Sequence, residues 1–209
     1  MNNVTIFDHP LVMHKLAILR NKETTGKQFR ELVEELTMLM TFEAFKDMPT
    51  IKVLVETPLE STYQYMVDNK SVAIIPILRA GLGMVNGVQA LFPTSRVGFI
   101  GLYRDKVTLN PCEYYCKLPD NITSGISVIL DPMLATGGSA VAAIDLLKCN
   151  GAKRIKLMNI IASPVGIEKV HSIHPDVQIY CASVDRQLND DGYILPGLGD
   201  AGDRLYGTK

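Results

Sequence analysis

The stretch that most constrains this chain is SVAIIPIL at 71–78. It is a continuous apolar run without alternation, as expected of a strand buried on both faces. The pattern recurs in ISVILD, RIKLMNIIAS and VQIYCAS, and RVGFIGLYR at 96–104 adds one more strand. Helical stretches separate them: LGMVNGVQALFP, GGSAVAAIDLLKCNGA with Gly151 as its stop, and GIEKVHSIHP. Strands alternating with helices of about 10–15 residues build βαβ units and a parallel sheet. PCEYYCKLP alternates more and reads as an edge or flap strand. The expected fold is therefore α/β, a mostly parallel central sheet flanked by helices.

The first third is different. PLVMHKLAILR predicts a helix over about 10–20 with Pro10 in its first turn. A second helix is marked by Phe29, Leu32, Val33, Leu36, Leu39 and Met40 at helical spacing, with Thr25 as a cap. These N-terminal helices are expected to cover the domain's own core. IKVLVETP reads as a strand and STYQYMV as its partner or a helix, which adds a small β flap or arm. No repeat or linker interrupts the 209 residues, so 1–209 is expected to form a single domain.

Charge and composition remove several classes of function. A formal net charge of −1 gives no long-range field toward nucleic acid or an anionic membrane. No run of about 18 apolar residues occurs, and Asp8, His9 and Pro10 interrupt the N-terminal apolar stretch, so neither a membrane span nor a secretory signal is expected. The expected location is the cytoplasm. Cys112, Cys116, Cys149 and Cys181 lack zinc-site spacing and are expected as structural or free thiols. His171 and His174 stand without a Cys or carboxylate cluster and are expected on a surface loop ahead of Pro175.

Ligands of open α/β sheets bind beyond the carboxyl ends of the strands, so the residues after each apolar run carry the chemistry. ISVIL ends in Asp131, and Thr136, Gly137, Gly138 and Ser139 then open a helix. Two glycines let the backbone curl, and the first helical amides point outward unpaired, an anion site that suits phosphate. Alone, TGGS is also an ordinary strand–helix turn. With Asp131 to accept hydrogen bonds from vicinal hydroxyls, it reads as a site for ribose and its 5′-phosphate. Arg79 leaves the apolar run PIL into a glycine-rich turn, where it needs an anion or a carboxylate partner. Arg104 repeats the arrangement at the end of LYR. Two arginines and a phosphate loop at adjacent strand ends imply a substrate with more than one phosphate group.

VILDPMLATGGSA resembles the phosphoribosyl diphosphate motif of the type I phosphoribosyltransferases. PILRAGLGM, LYRD and GYILPGLGDAGDRLYGTK, in that order, resemble the members of that family that act on uracil. The likeness runs from about His9 to Lys209. It implies the type I phosphoribosyltransferase fold and a reaction of pyrimidine salvage, uracil plus 5-phospho-α-D-ribose 1-diphosphate (PRPP) giving UMP and diphosphate. It also implies residue roles. Asp131, Pro132, Met133, Leu134, Ala135, Thr136, Gly137, Gly138 and Ser139 would hold the ribose and 5′-phosphate of PRPP, and Arg79 and Arg104 its diphosphate. Ile194, Gly199, Asp200 and Ala201 would contact uracil, with Asp200 also facing PRPP. Asp131, Arg79 and Arg104 would carry catalysis. Magnesium would arrive on the diphosphate, with no dedicated protein site. The likeness further implies a homo-oligomer, dimer or tetramer, and GTP as a candidate allosteric ligand. Pro132 stands where many of these enzymes have a second acid, which leaves open what holds the other ribose hydroxyl.

Two rival functions are weighed on sequence. Gly197-Leu198-Gly199-Asp200-Ala201-Gly202 spells the G-x-G-x-x-G of a dinucleotide fold, but only seven residues follow it. The acid required about 20 residues further on has no room, so a nicotinamide dehydrogenase is disfavoured. A nucleotide-sensing regulator on the same fold is the second. The intact residues of the uracil loop and the absence of a basic surface argue against it.

Overall fold

In this computed structural model residues 3–68, 71–104 and 111–208 are described. A short strand β1 (Val4–Ile6) precedes helices α1 (Pro10–Arg20) and α2 (Gly26–Ala44) and the antiparallel pair β2 (Thr50–Glu56) and β3 (Ser61–Val67). The main unit then runs β4 (Val72–Leu78), α3 (Leu82–Gln89), β5 (Arg96–Val97), β6 (Phe99–Arg104), β7 (Pro111–Lys117), β8 (Ile126–Leu130), β9 (Met133–Leu134), α4 (Gly138–Cys149), β10 (Arg154–Ala162), α5 (Pro164–Ile173) and β11 (Gln178–Val184). The chain closes with β12 (Gln187–Leu188), β13 (Ile194–Leu195) and α6 (Ala201–Tyr206).

The sheet order is β1-β11-β10-β8-β4-β6-β7, with β5 beside β4 and β9 beside β10. Its pairs are parallel except β6 with β7. The central strands β4, β8 and β10 are buried almost along their whole length, which explains their unbroken apolar sequence. One face packs under α1, α2 and α3 through Leu19, Phe29, Leu36, Met40 and Met84. The other packs under α4 and α5 through Ile129, Ile144, Leu157 and Val170.

The helices start where the sequence offers caps. Thr25 and Gln28 form a reciprocal capping box at α2, and Pro10 and Pro164 open α1 and α5. STYQYMV is the strand partner of β2, and the N-terminal helices cover the core as expected. Three expectations change. RVGFIGLYR is two strands split at Gly98, where a Cβ would lie 2.8 Å from the Lys117 carbonyl. His171 lies in the last turn of α5 rather than in a loop, and His174 is buried. The His174 ring lies between Asp145, 3.2 Å from Nε2, and Lys148, 3.3 Å from Nδ1. Polar neighbours on α4 let an imidazole be buried where the sequence alone suggested surface. PCEYYCKLP, expected as an edge or flap strand, is the antiparallel edge strand β7 over 111–117, and the first part of the flap expected over about 105–120, residues 105–110, lies outside the described residues. All four cysteines are free thiols.

Candidate active site

The end of β8 supplies the acid. Burial, followed by the charge of Asp200, pushes the Asp131 carboxyl up from its ordinary 3.8 to about 7, against a backbone amide from Met133 that favours the ionised form. Asp131 is thus a carboxyl held back from ionising until something compensates its charge. The influence of Asp200 also places the C-terminal loop on the Asp131 side of the site.

The loop after Asp131 is fixed by its carbonyls. Asn159 Nδ2 donates to the Asp131 carbonyl at 2.6 Å, and the amides of Ile160 and Ile161 both donate to that of Pro132 at 3.0 Å. The Ser163 amide holds the Leu134 carbonyl at 2.9 Å, and Ser163 Oγ holds that of Ala135 at 2.5 Å. With these carbonyls turned into β10 and the start of α5, the other side of the loop faces a cleft. Asp131, Met133, Leu134, Ala135, Thr136, Gly137, Gly138 and Ser139 line a cleft of about 110 Å³ there. Pro132 is buried behind it.

Helix α4 opens into this cleft. Its N-cap Gly137 has φ +78°, and no side chain caps the helix. By contrast α1, α2, α5 and α6 are each capped by a side chain, from His9, Thr25, Ser163 and Asp200, while α3, like α4, follows a glycine that offers none. A first turn with unpaired amides and the positive end of the helix dipole is a site for an anion. Gly137 is required twice over. A side chain would be strained at that φ, and its Cβ would lie 2.9 Å from the Gly166 carbonyl.

Arg79 follows β4 as expected, and Arg104 ends the adjacent β6. The Arg104 side chain lies outside the described residues. Arg79 has a carboxylate partner, Asp203 on α6, but at 3.7 Å and with both side chains well exposed. Such a pair is weak and leaves the guanidinium available to a phosphate. The Arg79 carbonyl accepts from Tyr206 Oη at 3.1 Å, so the tip of β4 and the C-terminal helix are joined.

The C-terminal loop meets part of the structural context of a dinucleotide motif. Gly197–Gly202 does follow a strand, β13, and does open a helix, α6. But β13 pairs only with β12 in a separate two-stranded unit, and α6 has six residues. The βαβ context is therefore missing. Ile194 and Ala201 turn their side chains into the core, Gly199 is exposed at φ +79°, and Asp200 caps α6 by accepting the Asp203 amide at 2.9 Å. What this loop can present to a ligand is mostly backbone. The site brings together Asp131, the 132–139 loop, Arg79 and Asp200. Sequence reasoning missed Asn159 and Ser163, although both sit near the end of an apolar run, where a polar residue has few other reasons to stand.

A family model described as uracil phosphoribosyltransferase matches residues 6–208. The chain belongs to the uracil phosphoribosyltransferase family. Its reaction is phosphoribosyl transfer to uracil. A curated uracil phosphoribosyltransferase of Clostridioides difficile is 58% identical, and one of Symbiobacterium thermophilum 55%, each over 209 residues and 100% of both chains. The solved AQ2163 protein of Aquifex aeolicus aligns over 97% of both chains with a TM-score of 0.93 and 36% identity. The adenine phosphoribosyl transferase of Trypanosoma brucei, solved with AMP, pyrophosphate and ribose-5-phosphate, shares the fold at 13% identity. Its TM-score is 0.60 over 96% of this chain and 89% of that one. The fold is that of the type I phosphoribosyltransferases. Nothing in these likenesses favours the regulator.

Proposed function

We propose that the uracil phosphoribosyltransferase reaction is carried out here by positioning and electrostatics alone, within one domain of 1–209. The observation that carries this reading is the uncapped N-terminus of α4 beside the partly buried Asp131. The loop after Asp131 and the amides in the first turn of α4 bind the 5′-phosphate of PRPP. Asp131, once ionised, accepts from the ribose hydroxyls. Arg79 and Arg104, at adjacent strand ends, take the diphosphate. Uracil N1 forms its bond to C1′ as the bond from C1′ to the diphosphate oxygen breaks, and the N1–H bond breaks with its proton passing to water. Positive charge develops on the sugar, and fixed dipoles and cations stabilise the charge that leaves.

Magnesium fits this site as a cation carried in on the diphosphate. Among the described residues no cluster of three or more His, Cys, Asp or Glu could hold a metal. Asp131 and Asp200 repel one another, which suits an incoming cation. The diphosphate and water would hold it, and it would neutralise charge on the leaving group.

Uracil is read by the backbone at Ile194 and at Gly199, Asp200 and Ala201. The base offers acceptor, donor and acceptor along one edge, and a fixed amide facing its 4-position would meet the amino group of cytosine instead. A site whose buried polar groups are left unpaired by the wrong ligand discriminates by about 10⁴. The test is release of diphosphate from Mg-PRPP across uracil, cytosine, orotate and hypoxanthine. Uracil alone should support it at an appreciable rate, and comparable turnover with cytosine or a purine would overturn the reading.

We also place the protein in the cytoplasm as a homo-oligomer. Four free thiols and the lack of any described helix long and apolar enough to cross a membrane support the first. The exposed apolar hairpin β2–β3 supports the second.

A further inference from the structure

We infer that Arg20 and Asp185 form a positioning pair that sets the specificity of the base loop, although neither touches the substrate. The inference rests on the reading of Ile194 and Gly199–Ala201 as the uracil contacts. Asp185 follows β11 and is 4% exposed. Arg20 is the last residue of α1, and it grips Asp185 with two hydrogen bonds, Nη1 to Oδ2 at 2.7 Å and Nη2 to Oδ1 at 2.5 Å. Ser183 Oγ completes the cluster, 3.1 Å from Asp185 Oδ1 and 3.2 Å from Arg20 Nη2.

The cluster is directed at one residue of the loop. Arg20 Nη1 donates to the Gly197 carbonyl at 2.6 Å, and the Gly197 amide donates to Asp185 Oδ2 at 2.9 Å. Both backbone polar groups of Gly197 are thus held by the two halves of one ion pair. Gly197 lies three residues after Ile194 and two before Gly199. Its φ is +68°, and a Cβ there would be 2.1 Å from the Ile194 carbonyl, so the loop is folded tightly on itself at this point. A second guanidinium continues the grip. Arg204 donates to the Leu198 carbonyl at 2.7 Å and to the carbonyls of Leu19 and Asn21 at the end of α1. Gly199, Asp200 and Ala201 emerge from a loop whose two preceding carbonyls are both clamped.

The physical case for a role in recognition is the poor return such a pair gives to stability. Burying an arginine and an aspartate takes both out of water, and an apolar pair of similar volume is often as stable or more so. Burial raises the Asp185 carboxyl, but the Arg20 hydrogen bonds and the Gly197 amide outweigh it and leave the pKa below its ordinary value. An ionised clamp is therefore present throughout the neutral range. A loop that reads a base through its own amides and carbonyls has no side chain to adjust, so its selectivity depends on the backbone not yielding. An ion pair anchored on β11 and α1 supplies that stiffness.

The test compares Arg20→Lys, Asp185→Asn and Ser183→Ala with the unaltered protein. The first two are expected to raise KM for uracil on the order of tenfold and to lower the uracil-over-cytosine ratio of kcat/KM by a similar factor. KM for PRPP and kcat should stay within about twofold. Ser183→Ala keeps the ion pair and should show a smaller change in the same direction, which preserves the test where the charge variants fold poorly. Equal losses toward both substrates, or a fall in kcat that tracks a fall in Tm, would make the pair merely structural and overturn the inference. Gly199→Ala separates the two readings. If it raises KM for uracil while the Arg20 and Asp185 variants do not, the clamp fails and the loop assignment stands. If it too leaves uracil untouched, the loop assignment itself falls, and the clamp with it.

Discussion

Asp131 illustrates how one residue is held in tension by its surroundings. Its carboxyl is raised from 3.8 to about 7 by burial first and by Asp200 second. Between those values the folded protein keeps a proton that the unfolded chain has already released. Stability therefore falls as pH rises through that window and levels off above about 7. The full shift is worth on the order of 4 kcal/mol at most. Asp131→Asn is expected to remove this slope and to raise Tm at pH 8 by on the order of 5 °C, while lowering kcat/KM for PRPP by 100-fold or more. Thermal melts from pH 5 to 8, read beside steady-state rates, check both halves. A variant that loses activity and stability together would count against the assignment. Asp200→Asn should lower the Asp131 pKa, because it removes a like charge. Arg79 belongs to the same scale. Its exposed, 3.7 Å pairing with Asp203 gives little to the fold. Arg79→Ala should therefore leave Tm within about 2 °C and raise KM for PRPP more than tenfold, with the effect on uracil secondary.

At the level of elements, the sequence was most legible where burial is complete. The runs at β4, β8, β10 and β11 could be nothing but interior strands, and α2 announced itself by period and cap. β1 has three residues and no pattern of its own, and it exists because β11 offers an open edge. β12 and β13 have two residues each and carry no pattern of their own, and the chain just after them is held at Gly197 by Asp185. The loop after Asp131 runs from the end of β8 into the start of α4, where its glycines put it. The residues that aim it were hidden, since their hydrogen bonds join β8 to β10 across 28 residues of sequence. Ser163 is the clearest of these, capping α5 through the Gly166 amide at 2.9 Å while holding the Ala135 carbonyl. Ser163→Ala should cost about 1–2 kcal/mol as a lost cap and buried hydrogen bond. It should also raise KM for PRPP severalfold and leave KM for uracil unchanged. Denaturant melts and two-substrate kinetics distinguish this from simple destabilisation, which would not select one substrate.

For the whole molecule, the hairpin β2–β3 is the part that its own chain does not complete. The two strands pair along seven residues each, yet Ile51, Leu54, Tyr63, Tyr65 and Met66 are all more than half exposed, and Leu59 near the turn is 95% exposed. An isolated two-stranded hairpin is marginal in water, and one with apolar side chains in solvent is an aggregation hazard unless covered. A second copy of the chain would cover it by symmetry, each arm lying on its partner. Tyr65→Glu and Leu54→Lys place charge at positions 71% and 62% exposed, where the folded protomer has room for them. Their cost to protomer stability should be within about 0.5 kcal/mol. Sedimentation or light scattering should find the unaltered protein larger than its 23.0 kDa protomer and the double variant shifted toward that mass at micromolar concentration. An unaltered protein already at 23.0 kDa, or a double variant of unchanged mass, would show that this arm is not what joins the copies.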